Sequence, residues 1–242
     1  MDQRNIDRAL VRKELPYLSH LSIIVTGHRF QQDLVNTYSL KGNSIYCVPP
    51  GVSQLMKKVD YAKTAQKLLI IASVTRRKEI LKAIQTLHEL RFENWSLTVY
   101  GEIVDQEYYD AIITFTEESG ISDKVEFKGY VKQEELWQSA VNYDLMLNFS
   151  RYETFGMAIF EALQSGIPVL SVGTELDPIL AKNKNLRSFA DTTSFKLELE
   201  RLMTDPEVYA AYQSLPNSRR DWKLVQQEFK QAVVKIKESN QW

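Results

Sequence analysis

The sequence predicts an α/β protein on a doubly wound parallel sheet. Three observations carry the prediction. Between residues 67 and 172, short apolar runs alternate with segments of helical periodicity. The first run, KLLIIASV at 67–74, is almost continuously apolar, which suits a strand covered on both faces. Gly120 and Gly166 stand where helices of that alternation must end.

Taken in order, 67–74 reads as a strand. Residues 77–92 read as a helix with Ile80, Ile84 and Leu87 on one stripe. The strand 96–101 (SLTVYG) precedes a helix at 105–119, where Tyr108, Ile112 and Phe115 share a face. The strand 124–129 (KVEFKG), the short helix 133–141, the strand 143–150 (YDLMLNFS), the helix 157–165 and the strand 168–172 (PVLSV) complete the alternation. Five strands joined by helices imply right-handed crossovers, and ligands of such sheets bind beyond the carboxyl ends of the strands. The loops to watch therefore follow Val74, Gly101, Gly129, Ser150 and Val172. Helices at 194–203, 206–213 and 221–239 close the chain; the last sets Val225, Phe229, Ala232, Val233 and Ile236 on one stripe, most simply a packing face. Ahead of this block, a helix at 7–18, a strand at 23–25, a helix at 31–38 and a strand at 45–48 form a small unit ending at Pro49-Pro50-Gly51.

Composition narrows the function. The 242 residues are 44% hydrophobic and 25% charged, an ordinary globular balance that excludes wholesale disorder. Thirty Lys and Arg against 31 Asp and Glu give a net charge of −1, without the basic excess of a nucleic-acid binder. The single cysteine, Cys47, excludes an intramolecular disulfide and a zinc site of paired cysteines, and suits a reducing compartment. No apolar stretch has the length of a membrane span, and the polar start MDQRNIDRAL is unlike a signal peptide. No G-x-G-x-x-G, G-x-x-x-x-G-K-[ST] or G-x-S-x-G occurs, and His20, His28 and His88 lack ligand spacing, so no metal site is expected.

One segment remains, SRYETFGMAIFEALQSGIPV at 150–169. It leaves a buried strand, carries Glu153 in a loop, opens a helix at Phe155-Gly156 and sets Glu161 about one turn inside. Amides at a helix start favour a phosphate. Carboxylates beside such an anion site make electrostatic sense only when they face neutral hydroxyls. The combination reads as a sugar–phosphate site. Alone, either carboxylate would read as a surface group. Arg76-Arg77-Lys78 places cations at a helix start, against the helix dipole, which points to an anion there.

The E-x7-E arrangement from Glu153 to Glu161, with F-G inside and S-G-I-P-V behind it, resembles the retaining nucleotide-sugar glycosyltransferases of family 4, which have the GT-B fold. Weaker matches support it in order: Pro49-Pro50-Gly51-Val52, VEFKGYV at 125–131, the strand 144–150 and Asp221-Trp222. The resemblance implies a Rossmann-like donor domain at 49–215, a small remnant of an acceptor domain at 1–48 and a C-terminal helix at 216–242 packing back toward the N-terminal part. It further implies Glu153 on the donor sugar's hydroxyls, Glu161 on the ribose, amides of Phe155 and Gly156 near sugar and diphosphate, Tyr130 and Val131 bordering the base, and Lys78 with Arg77 on the diphosphate, Glu153 and Lys78 being the catalytic pair. The substrate would be a nucleotide sugar, UDP-sugar for preference, with a hydroxyl acceptor (glycan, lipid or protein) and no resident cofactor. Ser73 stands where the family has Arg, Glu102 and Thr174 replace glycines, and 183–186 lacks the family's Gly. These departures keep a rival reading open: a non-catalytic nucleotide-sugar-binding or scaffold module working with a partner chain. The apolar last helix points to a homodimer or such a partner, and the location expected is the cytoplasm or the periphery of the inner membrane face.

Overall fold

The computed structural model describes residues 21–38, 40, 44–52, 58, 60–90, 92–213 and 220–239. The helix expected at 7–18 lies outside the described residues. The chain divides into two compact units, one comprising residues 1–53 with 220–242, the other 54–219.

In the small unit, β1 (Ile23–Val25), α1 (His28–Tyr38) and β2 (Ile45–Cys47) form one strand–helix–strand crossover with a parallel pair, Ile23 opposite Ile45. Its core is Val25, Leu34, Leu40 and Ile45. The segment after β2 is held against the start of the last helix: Val52 N–H donates to Arg220 O at 3.0 Å, and the Arg220 guanidinium donates to Pro49 O at 2.9 Å and Pro50 O at 3.2 Å while pairing with Glu228. Gly51 is required here because a Cβ would lie 2.8 Å from the backbone of Asp221.

The large unit carries six parallel strands: β3 (Lys67–Ile71), β4 (Ser96–Tyr100), β5 (Val125–Gly129), β6 (Leu145–Asn148), β7 (Val169–Val172) and β8 (Leu186–Phe189), in the order β5-β4-β3-β6-β7-β8. The chain winds outward from β3 to β5, then returns through α4 to start again at β6 on the other side of β3. The helices are α2 (Ile80–Glu89), α3 (Gln106–Glu118), α4 (Gln133–Ala140), α5 (Met157–Gln164), α6 (Pro178–Ala181), α7 (Thr192–Thr204) and α8 (Pro206–Gln213), with α9 (Trp222–Ser239) in the small unit. The central strands are mostly apolar and buried along their middles, and the core joins Leu68, Ile70, Leu97, Val99, Leu145, Leu147 and Leu170 to Ile84, Ile112 and Phe195.

The amino ends of the central strands are fastened by polar groups. The Asp144 carboxylate, 4% exposed, accepts from Gln66 N–H at 3.1 Å and Lys67 N–H at 2.8 Å, and lies 3.8 Å from Lys58 Nζ. Burial holds the Lys58 ammonium below its ordinary pKa. From α8, Tyr209 Oη donates to Asp144 O at 2.6 Å and Tyr212 Oη to Val169 O at 2.7 Å.

Four sequence expectations change. The strand expected over 67–74 stops at Ile71, and Val74 makes only an isolated bridge to Ile103. The helix expected from residue 77 is split: Arg76–Lys78 is a 3-10 turn, Glu79 is left-handed with φ 48°, and α2 begins at Ile80. The segment 183–186, expected as loop, leads into a sixth strand, β8, with the short helix α6 before it. The stripe on the last helix is only partly covered: Ala232 is buried, Val225, Val233 and Ile236 are half-buried and Phe229 is exposed.

Replacing Asp144 with Ala removes an acceptor from two strand amides and leaves the buried Lys58 without its carboxylate. The expected loss of folding stability is about 3 kcal/mol, read from urea denaturation.

Candidate functional site

The strand order reverses between β3 and β6, and their carboxyl ends feed two loops side by side, residues 72–79 and 149–156. The two loops clasp each other. Arg77 Nη1 donates to Tyr152 O at 2.6 Å, Arg151 N–H donates to Arg77 O at 3.0 Å, and Arg151 Nε reaches Glu79 Oε1 at 2.5 Å. The left-handed Glu79 turns the chain so that α2 starts one residue after the 3-10 turn; its carboxylate also lies 3.6 Å from Lys82. Across this clasp Lys78 Nζ meets Glu153 Oε1 at 2.5 Å, the two side chains only 13% and 14% exposed. The two residues singled out as the reacting pair are therefore bonded to each other.

Beyond Glu153 the chain enters α5. Gly156 is the N-cap with φ 89°, and the first helical bond runs from Phe160 N–H to Gly156 O at 2.9 Å. Amides of the first turn have no partner within a helix, and the positive end of the dipole lies there. The glycine at 156 follows from the turn and its packing: it is buried, its φ is one that side-chain-bearing residues rarely adopt, and a Cβ would press on Leu180 and Ile159. Phe155 is 3% exposed and meets Phe160 edge to face, so only its backbone is available to a ligand.

Glu161 lies one turn inside α5. Burial pushes its carboxyl above the usual carboxylate range, opposed by Gln133 and Trp137. Gln133 Nε2 donates to Glu161 Oε1 at 2.5 Å. The Trp137 indole N–H is buried, makes no hydrogen bond of standard geometry and acts on Glu161 as a nearby dipole. Gln133 opens α4 directly after the loop that carries Tyr130, which is 77% exposed, and Val131, which is half-buried. One side-chain bond thus links the loop after β5 to the second carboxylate.

The other expected cation is placed elsewhere. Arg76 reaches Asp105 at 3.2 Å and Glu107 at 2.9 Å over the face of Tyr108. Sequence reasoning missed Gln133, Glu79 and Arg151. Spacing gave no sign of Gln133 or Glu79, which reach their partners from other segments; Arg151, two residues from Glu153 in the same loop, was the one with a visible cue. It also missed two buried hydroxyls without a partner, Thr75 Oγ1 after β3 and Thr174 Oγ1 after β7, both at the carboxyl edge of the sheet. Among the described residues, no cluster of His, Cys, Asp and Glu could hold a metal ion, and no helix is long and apolar enough to cross a membrane.

Comparison with known proteins gives the family and the fold. Residues 52–219 match the family model for glycosyl transferases group 1. The chain is 27% identical over 179 residues to mannosylfructose-phosphate synthase of Agrobacterium fabrum, covering 66% of this chain and 39% of that protein. It is 23% identical over 205 residues to N-acetyl-alpha-D-glucosaminyl L-malate synthase of Bacillus anthracis, covering 81% and 52%. The chain therefore spans about half the length, or less, of these two relatives. Its fold is similar to Anabaena HepE, solved with UDP and glucose, at TM-score 0.77 and 14% identity over 94% of this chain and 67% of that one. It is also similar to sucrose-phosphate synthase from Thermosynechococcus elongatus, at TM-score 0.72 and 18% identity over 94% and 61%. With the family model covering more than half of the sequence, and a Rossmann-like six-stranded sheet of GT-B type beneath it, the chain belongs to the group 1 glycosyl transferases, the retaining family 4 lineage.

Proposed function

We propose that this chain is the donor-binding part of a retaining hexosyltransferase. It takes a nucleoside diphosphate hexose, UDP-linked for preference, and the complete enzyme passes the hexose to a hydroxyl acceptor with retention. The observation that carries the reading is the Lys78–Glu153 pair at the switch point, with the open end of α5 beside it and Glu161 one turn further on. A cation and helix amides suit a diphosphate, and two carboxylates suit the hydroxyls of sugar and ribose.

In this reading Lys78, with Arg77 and the amides of Phe155 and Gly156, takes the diphosphate; Glu153 takes the sugar and Glu161 the ribose; Tyr130 and Val131 border the base. The protein orients the anomeric carbon and stabilises charge on the departing diphosphate. The carboxylates position hydroxyls and are not the acid/base pair of a glycosidase. HepE, whose fold this chain shares, was solved with UDP, which favours a uracil nucleotide here. We read 49–215 as the donor domain, the elements before residue 48 as the end of an acceptor-binding domain, and 216–242 as a helix returning toward it. The activated sugar places the protein in the cytoplasm or at the inner membrane face.

Ser73 and the engagement of Arg76 with Asp105 and Glu107 favour a second reading, a nucleotide-sugar-binding module without turnover of its own. Donor hydrolysis by this chain would exclude the module; binding without turnover fits the module and a donor-binding part lacking its acceptor domain alike.

Calorimetric titration with UDP, ADP and GDP and their hexose conjugates tests the site itself. Lys78→Ala is expected to weaken the diphosphate about tenfold or more while leaving the bare nucleoside within about twofold. Equal losses on both ligands would remove Lys78 from the diphosphate site. Glu161→Ala is expected to weaken nucleoside and nucleotide alike.

Glu161 also carries a pH signature. Its carboxyl is raised in the folded chain, so wild-type stability from this group is fully present at low pH and lost as pH rises through the folded pKa. Glu161→Gln is therefore expected to be more stable than wild type at pH 7, with the gap closing as pH falls into the carboxylate range. Thermal denaturation between pH 4 and pH 8 reads it.

A further inference from the structure

Lys78 Nζ and Glu153 Oε1 are 2.5 Å apart, and both side chains are largely shielded from solvent. The clasp formed by Arg77 with Tyr152 and Arg151 with Glu79 fixes the backbones on either side of the pair. Neither partner can leave without finding a substitute, since an unpaired charge in so sheltered a place is costly. A diphosphate arriving at the open end of α5 offers Lys78 a substitute. It offers Glu153 none, and it brings negative charge to its side.

What Glu153 finds next depends on the ligand. A sugar-bearing diphosphate carries hydroxyls that donate to the carboxylate and replace the ammonium. A bare nucleoside diphosphate brings no hydroxyl to Glu153, its ribose hydroxyls being those assigned to Glu161. Its terminal phosphate is also more negative than the esterified one. With the bare nucleotide bound, Glu153 must either keep Lys78 from the phosphate or stand unpaired beside it.

We infer that Glu153 and the diphosphate compete for Lys78, so that this ion pair makes the site prefer sugar-bearing nucleotides and expel the sugar-free product. Glu153 is then a specificity-determining residue acting through Lys78, beyond any contact it makes with the sugar. The inference rests on the donor-site reading above. It applies to the exchange of ligands and needs no bond-making step. When the hexose has been transferred, its hydroxyls leave the carboxylate, Glu153 reclaims Lys78, and the remaining nucleotide loses that ammonium.

The test is calorimetry on the full 242-residue chain with UDP and UDP-glucose, with GDP and GDP-mannose and ADP and ADP-glucose alongside, for wild type, Glu153→Gln, Lys78→Ala and the double variant. Glu153→Gln is expected to bind the bare nucleotide about tenfold tighter and its sugar conjugate more weakly, inverting the wild-type preference. In the Lys78→Ala background the same change is expected to alter bare-nucleotide affinity by less than about twofold, because the contested cation is gone. A tenfold gain that persists without Lys78 overturns competition in favour of direct repulsion between Glu153 and phosphate. An unchanged preference in folded Glu153→Gln overturns the inference while leaving the donor site standing. No binding of any pair to folded wild type or to Glu153→Gln overturns the donor-site reading, and the inference with it. Thermal denaturation of each variant establishes that it is folded, and Glu153→Asp, which keeps the charge, is expected to retain the wild-type order of preference.

Discussion

The reversal of strand order between β3 and β6 is the constraint from which the site follows. Two strands, β4 and β5, are laid outward on one side of β3 and three, β6, β7 and β8, on the other, so the loops leaving β3 and β6 have no crossover helix between them at the carboxyl edge. That adjacency allows residues 75 positions apart to bond, Lys78 to Glu153 and Arg77 to Tyr152. The amino edge is built differently. There Asp144 and the hydroxyls of Tyr209 and Tyr212 satisfy backbone groups directly, and the strands are tied down. One end of the sheet thus spends its polar groups on stability. The other leaves the buried hydroxyls of Thr75 and Thr174 without a hydrogen-bond partner.

The parts of the fold legible in the sequence were those where burial dictates composition. The central strands β3, β4, β6 and β7 are apolar because both faces are covered, and their positions could be read from KLLII, SLTVY, LMLN and VLSV. The strand β8 escaped because it is an edge: LRSF is half-exposed, and its Arg187 turns to Glu198 and the ring of Tyr212. The break at Glu79 escaped for another reason. Neither Gly nor Pro marks it; a glutamate takes a left-handed backbone, and its contacts with Arg151 and Lys82 hold it there. A long-range contact imposed that conformation, and local propensity gave no sign of it.

The candidate site divides the same way. Its chemistry was legible because the residue types sit close together on one segment: an acid, a glycine turn and a second acid in one strand–loop–helix unit. Its pairing was not. Nothing in the spacing says that the ammonium of Lys78 rests on Glu153, that Gln133 rests on Glu161, or that Arg76 turns away to Asp105 and Glu107. These are facts about which loops the topology brings together, and they change how the residues are to be understood. Both carboxylates of the motif accept from a side-chain donor of the protein itself.

A site whose acceptors are satisfied internally has a different energetic character from an open one. An open carboxylate next to a helix N-terminus would be stabilised by the dipole and would oppose the arrival of any anion. A carboxylate held by a lysine presents the incoming ligand with a nearly neutral pair, so the opposition is deferred until the pair separates. The free energy of that separation is then set against the ligand's own hydrogen-bond donors, group by group. On the proposed donor-site reading, sugar hydroxyls replace an ammonium at Glu153 and ribose hydroxyls replace an amide at Glu161; each replacement conserves the number of bonds to the acid. Recognition in this arrangement is an exchange of partners, and the selectivity of the exchange lies in the requirement that the ligand bring donors to both acids.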